Sequence, residues 1–199
     1  MHHKLKNYSI DNIIILILGK LKSYVKDFSM KVCHQYVKIL LLVIFALFLV
    51  NCSSEPHVLT VGQKPPDFSL PDIDKKNTIS LSDFNDKVVL IRFWTVDCTA
   101  CAKEMPELEE IYQNNQDKGM SILAINVRQP EDVVKKYMSN LPTTITYPVL
   151  LDTYAKIYKK YGIVGVPTTI IVDRKGVIKE KILGEMDKNT LERLIVKML

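Results

Sequence analysis

Residues 87–113 read KVVLIRFWTVDCTACAKEMPELEEIYQ, and three features of that stretch decide the architecture. Lys87 to Trp94 is a nearly continuous apolar, β-branched run, which predicts a central parallel strand covered on both faces. From Ala100 to Gln116 the side chains of Met105, Leu108, Ile111 and Tyr112 recur at helical spacing, with Pro106 expected to kink the helix. Between strand and helix lie Cys98 and Cys101. A thiolate at a helix N-terminus faces unpaired N–H groups and the positive end of the macrodipole, so its pKa falls below the ordinary value of about 8.5. Cys98 is therefore the expected nucleophile. Cys101, one turn later, is near enough to attack a mixed disulfide formed at Cys98, as a resolving cysteine must.

Outward from this stretch, Asp67–Leu70 and Thr78–Leu81 read as two short strands around a turn-rich segment, followed by a helical turn at Ser82–Phe84. Met120–Val127 is a second buried strand, Glu131 to about Asn140 a helix, and Tyr147–Leu151 a short extended piece. A helix over Tyr154–Tyr161 ends at Gly162. Thr168–Asp173 is a third core strand, turning at Arg174–Gly176 into an antiparallel partner, Val177–Leu183. A last helix spans about Asp187–Leu199, with Leu191, Leu194, Ile195 and Met198 inward. The order is βαβ, an insert over 129–153, then ββα. Arg92, inside a buried strand, has no function in this reading, and Tyr158 and Tyr161 read as core.

The chain has 199 residues, enough for one domain behind a targeting segment. Its net charge of +5 belongs to residues 1–52, which hold 7 Lys+Arg against 2 Asp+Glu; the remainder holds 20 of each. A neutral body offers no electrostatic footprint for a phosphate backbone, which argues against nucleic-acid binding. Ile39–Val50 is an uncharged run of twelve behind Lys31, His34 and Lys38. That is short of the roughly 20 residues of a spanning helix and fits the ~7–15 of a secretory signal core. Leu49-Val50-Asn51-Cys52 resembles a bacterial lipobox, which implies lipidation at Cys52, although Asn51 stands where a small residue is usual. Residues 1–29 fit no part of this plan, and Met30 would make a conventional signal start. The expected layout is a leader over 1–52, a proline-containing tether over 53–66 and a single domain over 67–199.

Four cysteines occur, at 33, 52, 98 and 101. With Cys33 in the leader and Cys52 the lipid site, the body keeps one C-x-x-C pair. So short a loop constrains the unfolded chain little, which points to chemistry over scaffolding. Half a zinc site is the plainer alternative, but no second pair completes four ligands, and His57 is the only histidine of the body.

The run Phe93-Trp94-Thr95-Val96-Asp97-Cys98-Thr99-Ala100-Cys101-Ala102-Lys103-Glu104-Met105-Pro106 resembles the W-x-x-x-C-x-x-C-x-x-E-x-P signature of the thioredoxin superfamily, in its TlpA/ResA-like branch. Gly165-Val166-Pro167-Thr168 matches that family's cis-proline loop. The resemblance covers about residues 58–199. It implies an α/β thioredoxin-like fold, a central mixed sheet flanked by helices, with an N-terminal strand extension and the insert between its halves. It implies catalytic roles for Cys98, Cys101 and Pro167, a site wall of Trp94 and Val166, and redox tuning by Thr99 and Ala100, the latter replacing the family's usual proline. Glu104 becomes a candidate proton relay for Cys101, its plainer role being an exposed acid of the first turns. Asp97 places a carboxylate beside the nucleophile, where it would raise the thiol pKa.

The implied activity is a membrane-anchored extracytoplasmic thiol-disulfide oxidoreductase that uses the cysteine pair and no cofactor or metal. Its implied partners are disulfides of exported proteins, apocytochrome c among the candidates, and a membrane electron donor. Two other classes share features of the sequence. Thr95-Val96-Asp97-Cys98 echoes the T-x-x-C of peroxiredoxin-like peroxidases, with Ile91 where their proline would stand. A copper-delivery module would favour a C-x-x-x-C spacing and a distal histidine, and neither is present.

Overall fold

The structure, a computed structural model, describes residues 18–22, 34–44 and 59–199. The chain divides into two units, Met1–Glu55 and Pro56–Leu199. In the first, residues 18–22 and 34–44 are helical. Among the described residues no helix is long and apolar enough to cross a membrane. The lipobox with Cys52, most of the tether including His57, and the end of the apolar run lie outside the described residues.

The second unit is built on a mixed sheet. Its strands are β3 (Val88–Trp94), β4 (Met120–Val127), β5 (Val149–Asp152), β6 (Thr168–Val172) and β7 (Ile178–Leu183), in the order β5-β4-β3-β6-β7. A short hairpin, β1 (Ser69–Pro71) and β2 (Thr78–Ser80), precedes them and leads into a single 3-10 turn at Leu81–Phe84. β3, β4 and β5 run parallel, whereas β6 and β7 are antiparallel additions on the other side of β3. Every residue of β3 and β4 is buried, the outcome expected when a strand is covered on both faces.

Alternation along β3 splits the core in two. Val89, Ile91 and Phe93 face a cluster with Leu59, Phe68, Leu70, Ile157 and Tyr161. Val88, Leu90 and Trp94 face the other cluster, closed by α1 (Thr99–Asn115), α2 (Glu131–Ser139) and α4 (Lys188–Val196) through Leu108, Ile111, Val134, Leu191 and Ile195. α1 carries Pro106 inside it without ending. The insert proves to be α2 plus β5, so it widens the sheet by one edge strand. That edge is met by the hairpin segment, where Asp72 bridges Leu150 and Ile73 N–H donates to Val149 at 2.9 Å.

Several boundaries differ from expectation, β5 among them, which runs Val149–Asp152 where Tyr147–Leu151 was expected. The first strand sits two residues later, at Ser69–Pro71, because the Asp67 side chain accepts from the N–H groups of Phe68 and Ser82 and holds the approach as a turn. The helix expected over Tyr154–Tyr161 shrinks to α3 (Lys156–Lys160). Ala155 there is left-handed, with φ 53°, and the buried Asp152 carboxylate takes the N–H groups of Lys156 and Tyr158 at 2.8 Å each, fixing where the helix starts. The last helix closes at Val196, short of Leu199. Tyr161 is buried and donates to Pro66 O at 2.6 Å, as befits a core tyrosine.

Candidate active site

β3 delivers the chain to the C-terminal end of the parallel strands, where a crevice for ligands forms in open α/β sheets. Thr95–Asp97 turns the chain, Cys98 N–H donates to Thr95 O at 3.3 Å, and Cys98 becomes the N-cap of α1 in extended conformation. The Cys98 Sγ accepts from the N–H of Cys101 at 3.1 Å. A helix leaves its first N–H groups without intrahelical partners, and here one of them is aimed at sulfur. The same donor favours a thiolate over a thiol at Cys98 once the pair is reduced.

Cys98 and Cys101 form a disulfide, with Cα atoms 5.2 Å apart. Their surroundings differ. Cys98 is half-buried, whereas Cys101 is 2% exposed among Trp94, Met105 and the rest of the helix-side core. Of the residues between them, Thr99 is exposed and Ala100 half-buried. The Val166–Pro167 peptide is cis, Pro167 is buried, and half-buried Val166 packs against the same cluster as Cys98 and Cys101.

Trp94, expected in the site wall, lies in the same buried cluster as Cys98, Cys101 and Val166. It is only 1% exposed, and its ring lies tilted at 41° to that of Tyr137 of α2 with centroids 5.5 Å apart. Asp97 is exposed, and its Oδ2 accepts from Gln129 Nε2 at 3.2 Å. Sequence reasoning missed Gln129. Its Oε1 accepts from Val96 N–H and from Asn126 Nδ2, each at 2.8 Å, so one amide pins the loop before Cys98 to the end of β4. Asn126, fully buried opposite Trp94 in the β3–β4 register, was the available signal: an amide near the end of a largely apolar strand.

Glu104 is not the exposed acid of the plainer reading. It is 5% exposed, and its Oε2 pairs with Arg92 Nη2, itself 4% exposed. Its Oε1 accepts from Met186 N–H at 2.9 Å, and Arg92 Nη1 donates to Thr169 Oγ1 of β6. Burial pushes the Arg92 guanidinium down to about 10, with Tyr147 and Glu185 acting in the opposite direction, so it stays charged at neutral pH. Among the described residues no three His, Cys, Asp or Glu side chains cluster to hold a metal. A cavity of about 530 Å³ lined by Lys64, Phe84, Lys87, Val172 and Arg174 lies at the opposite end of β3 and contains none of these residues.

A cysteine pair at the start of the helix that follows a central parallel strand, beside a buried cis-proline, places the protein in the class of thioredoxin-fold thiol-disulfide oxidoreductases. The comparisons agree. The chain belongs to the AhpC/TSA family, which it matches over residues 61–181, and within it sides with ResA thiol-disulfide oxidoreductases. It is 34% identical to thiol-disulfide oxidoreductase ResA of Geobacillus thermodenitrificans over 158 residues, spanning 78% of this chain and 89% of that one. ResA of Bacillus cereus is 32% identical over 145 residues, 73% of this chain and 82% of its own. Among solved structures, the thioredoxin domain of a thiol-disulfide oxidoreductase from Bacteroides vulgatus superposes with a TM-score of 0.61 at 32% identity, covering 69% of this chain and 99% of that one.

Proposed function

We propose that Cys98 and Cys101 are the redox pair, and that the protein reduces disulfides of exported proteins while anchored outside the cytoplasm through a lipid on Cys52. The observation that carries this reading is the asymmetry of the pair: Cys98 is half-buried at the helix N-cap and accepts a backbone N–H, while Cys101 is sealed one turn inward. A dithiol donor first reduces the Cys98–Cys101 bond, giving up two electrons and two protons and becoming a disulfide itself. The Cys98 thiolate then attacks a substrate disulfide; a bond forms to one substrate sulfur and the other leaves as a thiolate that takes up a proton. Cys101 loses its proton, attacks Cys98 Sγ and frees the second substrate sulfur, restoring the internal disulfide. Pro167 and Val166 would receive the substrate chain beside the pair, a role supported by the packing of Val166 against the cluster that holds both cysteines. Thr99 and Ala100 set the potential by their place inside the ring that the disulfide closes. The donor is a membrane thiol-disulfide protein, and apocytochrome c is a substrate candidate on the strength of the resemblance alone.

Turnover of a model disulfide by the full chain tests this. Cys98→Ser is expected to abolish it, and Cys101→Ser to accumulate a mixed disulfide with exported protein; turnover surviving in Cys98→Ser rejects the pair as the site. Equilibration against defined thiol buffers fixes the direction. A potential near or below about −250 mV marks a reductase and one near about −150 mV an oxidase or isomerase. Release of the Cys52→Ala chain from the membrane fraction checks the anchor. The peroxidase reading would use the same Cys98, and a peroxide-consumption assay separates the two.

A further inference from the structure

Arg92 is the one charged side chain of β3, and it projects from the same sheet face as Trp94, beneath α1. Its two terminal nitrogens are both engaged, Nη1 by Thr169 and Nη2 by Glu104, while the second Glu104 oxygen is held by Met186 N–H. Taking two charges out of water is costly, and apolar replacements of similar volume often match such a pair in stability. Stability alone is therefore a weak reason for charge at this depth. The location offers another. Glu104 lies three residues beyond Cys101 on α1, and residues three apart on a helix are neighbours, with Cβ atoms about 5–6 Å apart.

We propose that Arg92 is a positioning residue for the thiol chemistry: it holds Glu104 as a neutralised carboxylate beside Cys101, so that the resolving thiol ionises next to a balanced ion pair instead of a bare anion. The inference rests on Cys98 and Cys101 being the redox pair. In the resolving step the Cys101 thiol gives its proton to solvent and a bond forms from its sulfur to Cys98 Sγ. The bond from Cys98 to the substrate sulfur breaks, and that sulfur leaves as a thiolate and is protonated by water. Any unpaired negative charge near Cys101 opposes the first event, and any unpaired positive charge assists it.

The other groups facing the pair come from every element around it. Thr169 of β6 is not titratable in this range. Glu107 of α1 and Lys188 of α4 line a cavity of about 10 Å³ beside Arg92 and Glu104, room for a single water. Glu185 and the Tyr147 phenol act on Arg92 from the β7–α4 loop and the approach to β5. Lys188 is paired with Glu110 and Lys103 with Glu185, each at 2.5 Å, so these four outer charges are balanced among themselves, and half-buried Glu107 adds one acid that is present alike in the parent and in every variant.

The test is the pH profile of single-turnover release from the Cys98 mixed disulfide, in the full chain. Arg92→Met is expected to move the midpoint of Cys101 ionisation to higher pH and slow release at neutral pH roughly tenfold, the effect of about one pKa unit. Glu104→Gln is expected to move the midpoint the other way. The double variant should return to within about twofold of the parent, and Arg92→Lys should keep the parent profile by preserving charge. Shifts of the same sign in the two single variants, or a double variant displaced as far as Arg92→Met, overturn the proposal. Should Arg92→Met fail to fold, a Glu104→Gln midpoint equal to the parent's overturns it alone. Failure of the underlying reading looks different: turnover then survives in Cys98→Ser, whereas failure of the role of Arg92 leaves Cys98→Ser inactive and the single-variant profiles superimposed on the parent.

Discussion

At the residue scale, the two cysteines are three positions apart and chemically unlike, and the difference comes from neighbours distant in sequence. The loop that presents Cys98 is fixed by Gln129, whose single carbonyl oxygen serves Val96 N–H and Asn126 together. Gln129→Ala would leave a buried amide nitrogen and a part-buried backbone donor without acceptors, and each such loss costs about 1–3 kcal/mol. Urea unfolding of this variant is expected to show a loss of that order, with Asp97 released from its contact and Cys98 alkylated at a changed rate. A denaturation midpoint equal to the parent's would show that water replaces the amide without cost. The sequence made Cys98, Cys101 and Pro167 conspicuous because rare residue types stood at recognised spacings. Gln129 and Arg92 were not legible, since an amide in a loop or an arginine in a strand has meaning only once its partner is known.

At the element scale, periodicity located α1 to α4 and the core strands β3 to β7, and local hydrogen bonds moved the boundaries. α4 illustrates how an end is set. Asp187 caps it, accepting from Thr190 N–H at 3.0 Å, and the bonds from the Thr190 side chain and backbone hold its carboxyl below the usual carboxylate range. Because the folded pKa lies below the unfolded one, this contribution is complete above the ordinary value near 3.9 and is lost as pH falls through the folded value. The protection of amides 188–196, taken relative to their intrinsic exchange rate at each pH, is accordingly expected to fall on acidification before that of β3 does. Asp187→Asn, which caps without titrating, should flatten that dependence; an unchanged profile in the variant would assign the effect to another group. α3 shows the opposite limit. Helical spacing over Tyr154–Tyr161 was real, but a five-residue helix cannot hold itself, and Asp152 with left-handed Ala155 decided its extent.

At the scale of the whole domain, both sheet edges are managed by segments from the start of the folded unit. The β1–β2 hairpin meets β5, and residues 59–63 lie along β7, where Gly62 N–H donates to Ile178 O and Ile178 N–H to Gln63 O, each at 2.8 Å. An uncovered edge is a template for pairing with another chain. Gly62 adopts φ 93°, a conformation closed to proline, whose ring also lacks the N–H. Gly62→Pro is therefore expected to detach this strap, lower stability by about 1–3 kcal/mol and promote concentration-dependent association visible by light scattering. A variant that stays monomeric with unchanged unfolding would show that the strap is dispensable.

What the sequence determined by itself was the class of fold, the order of its elements and the position of the sulfur chemistry. Those depend on periodicity and on residues adjacent in the chain, and both are properties of a string. What only the tertiary structure decided was the company those residues keep: Trp94 buried against Tyr137, Glu104 buried against Arg92, Asp97 engaged by Gln129, and the insert as an edge strand. Each rests on an approach between separate elements of the chain. Such approaches follow from how the two faces of one sheet are closed, a choice made by the packing of all the elements together and written in no single stretch of them.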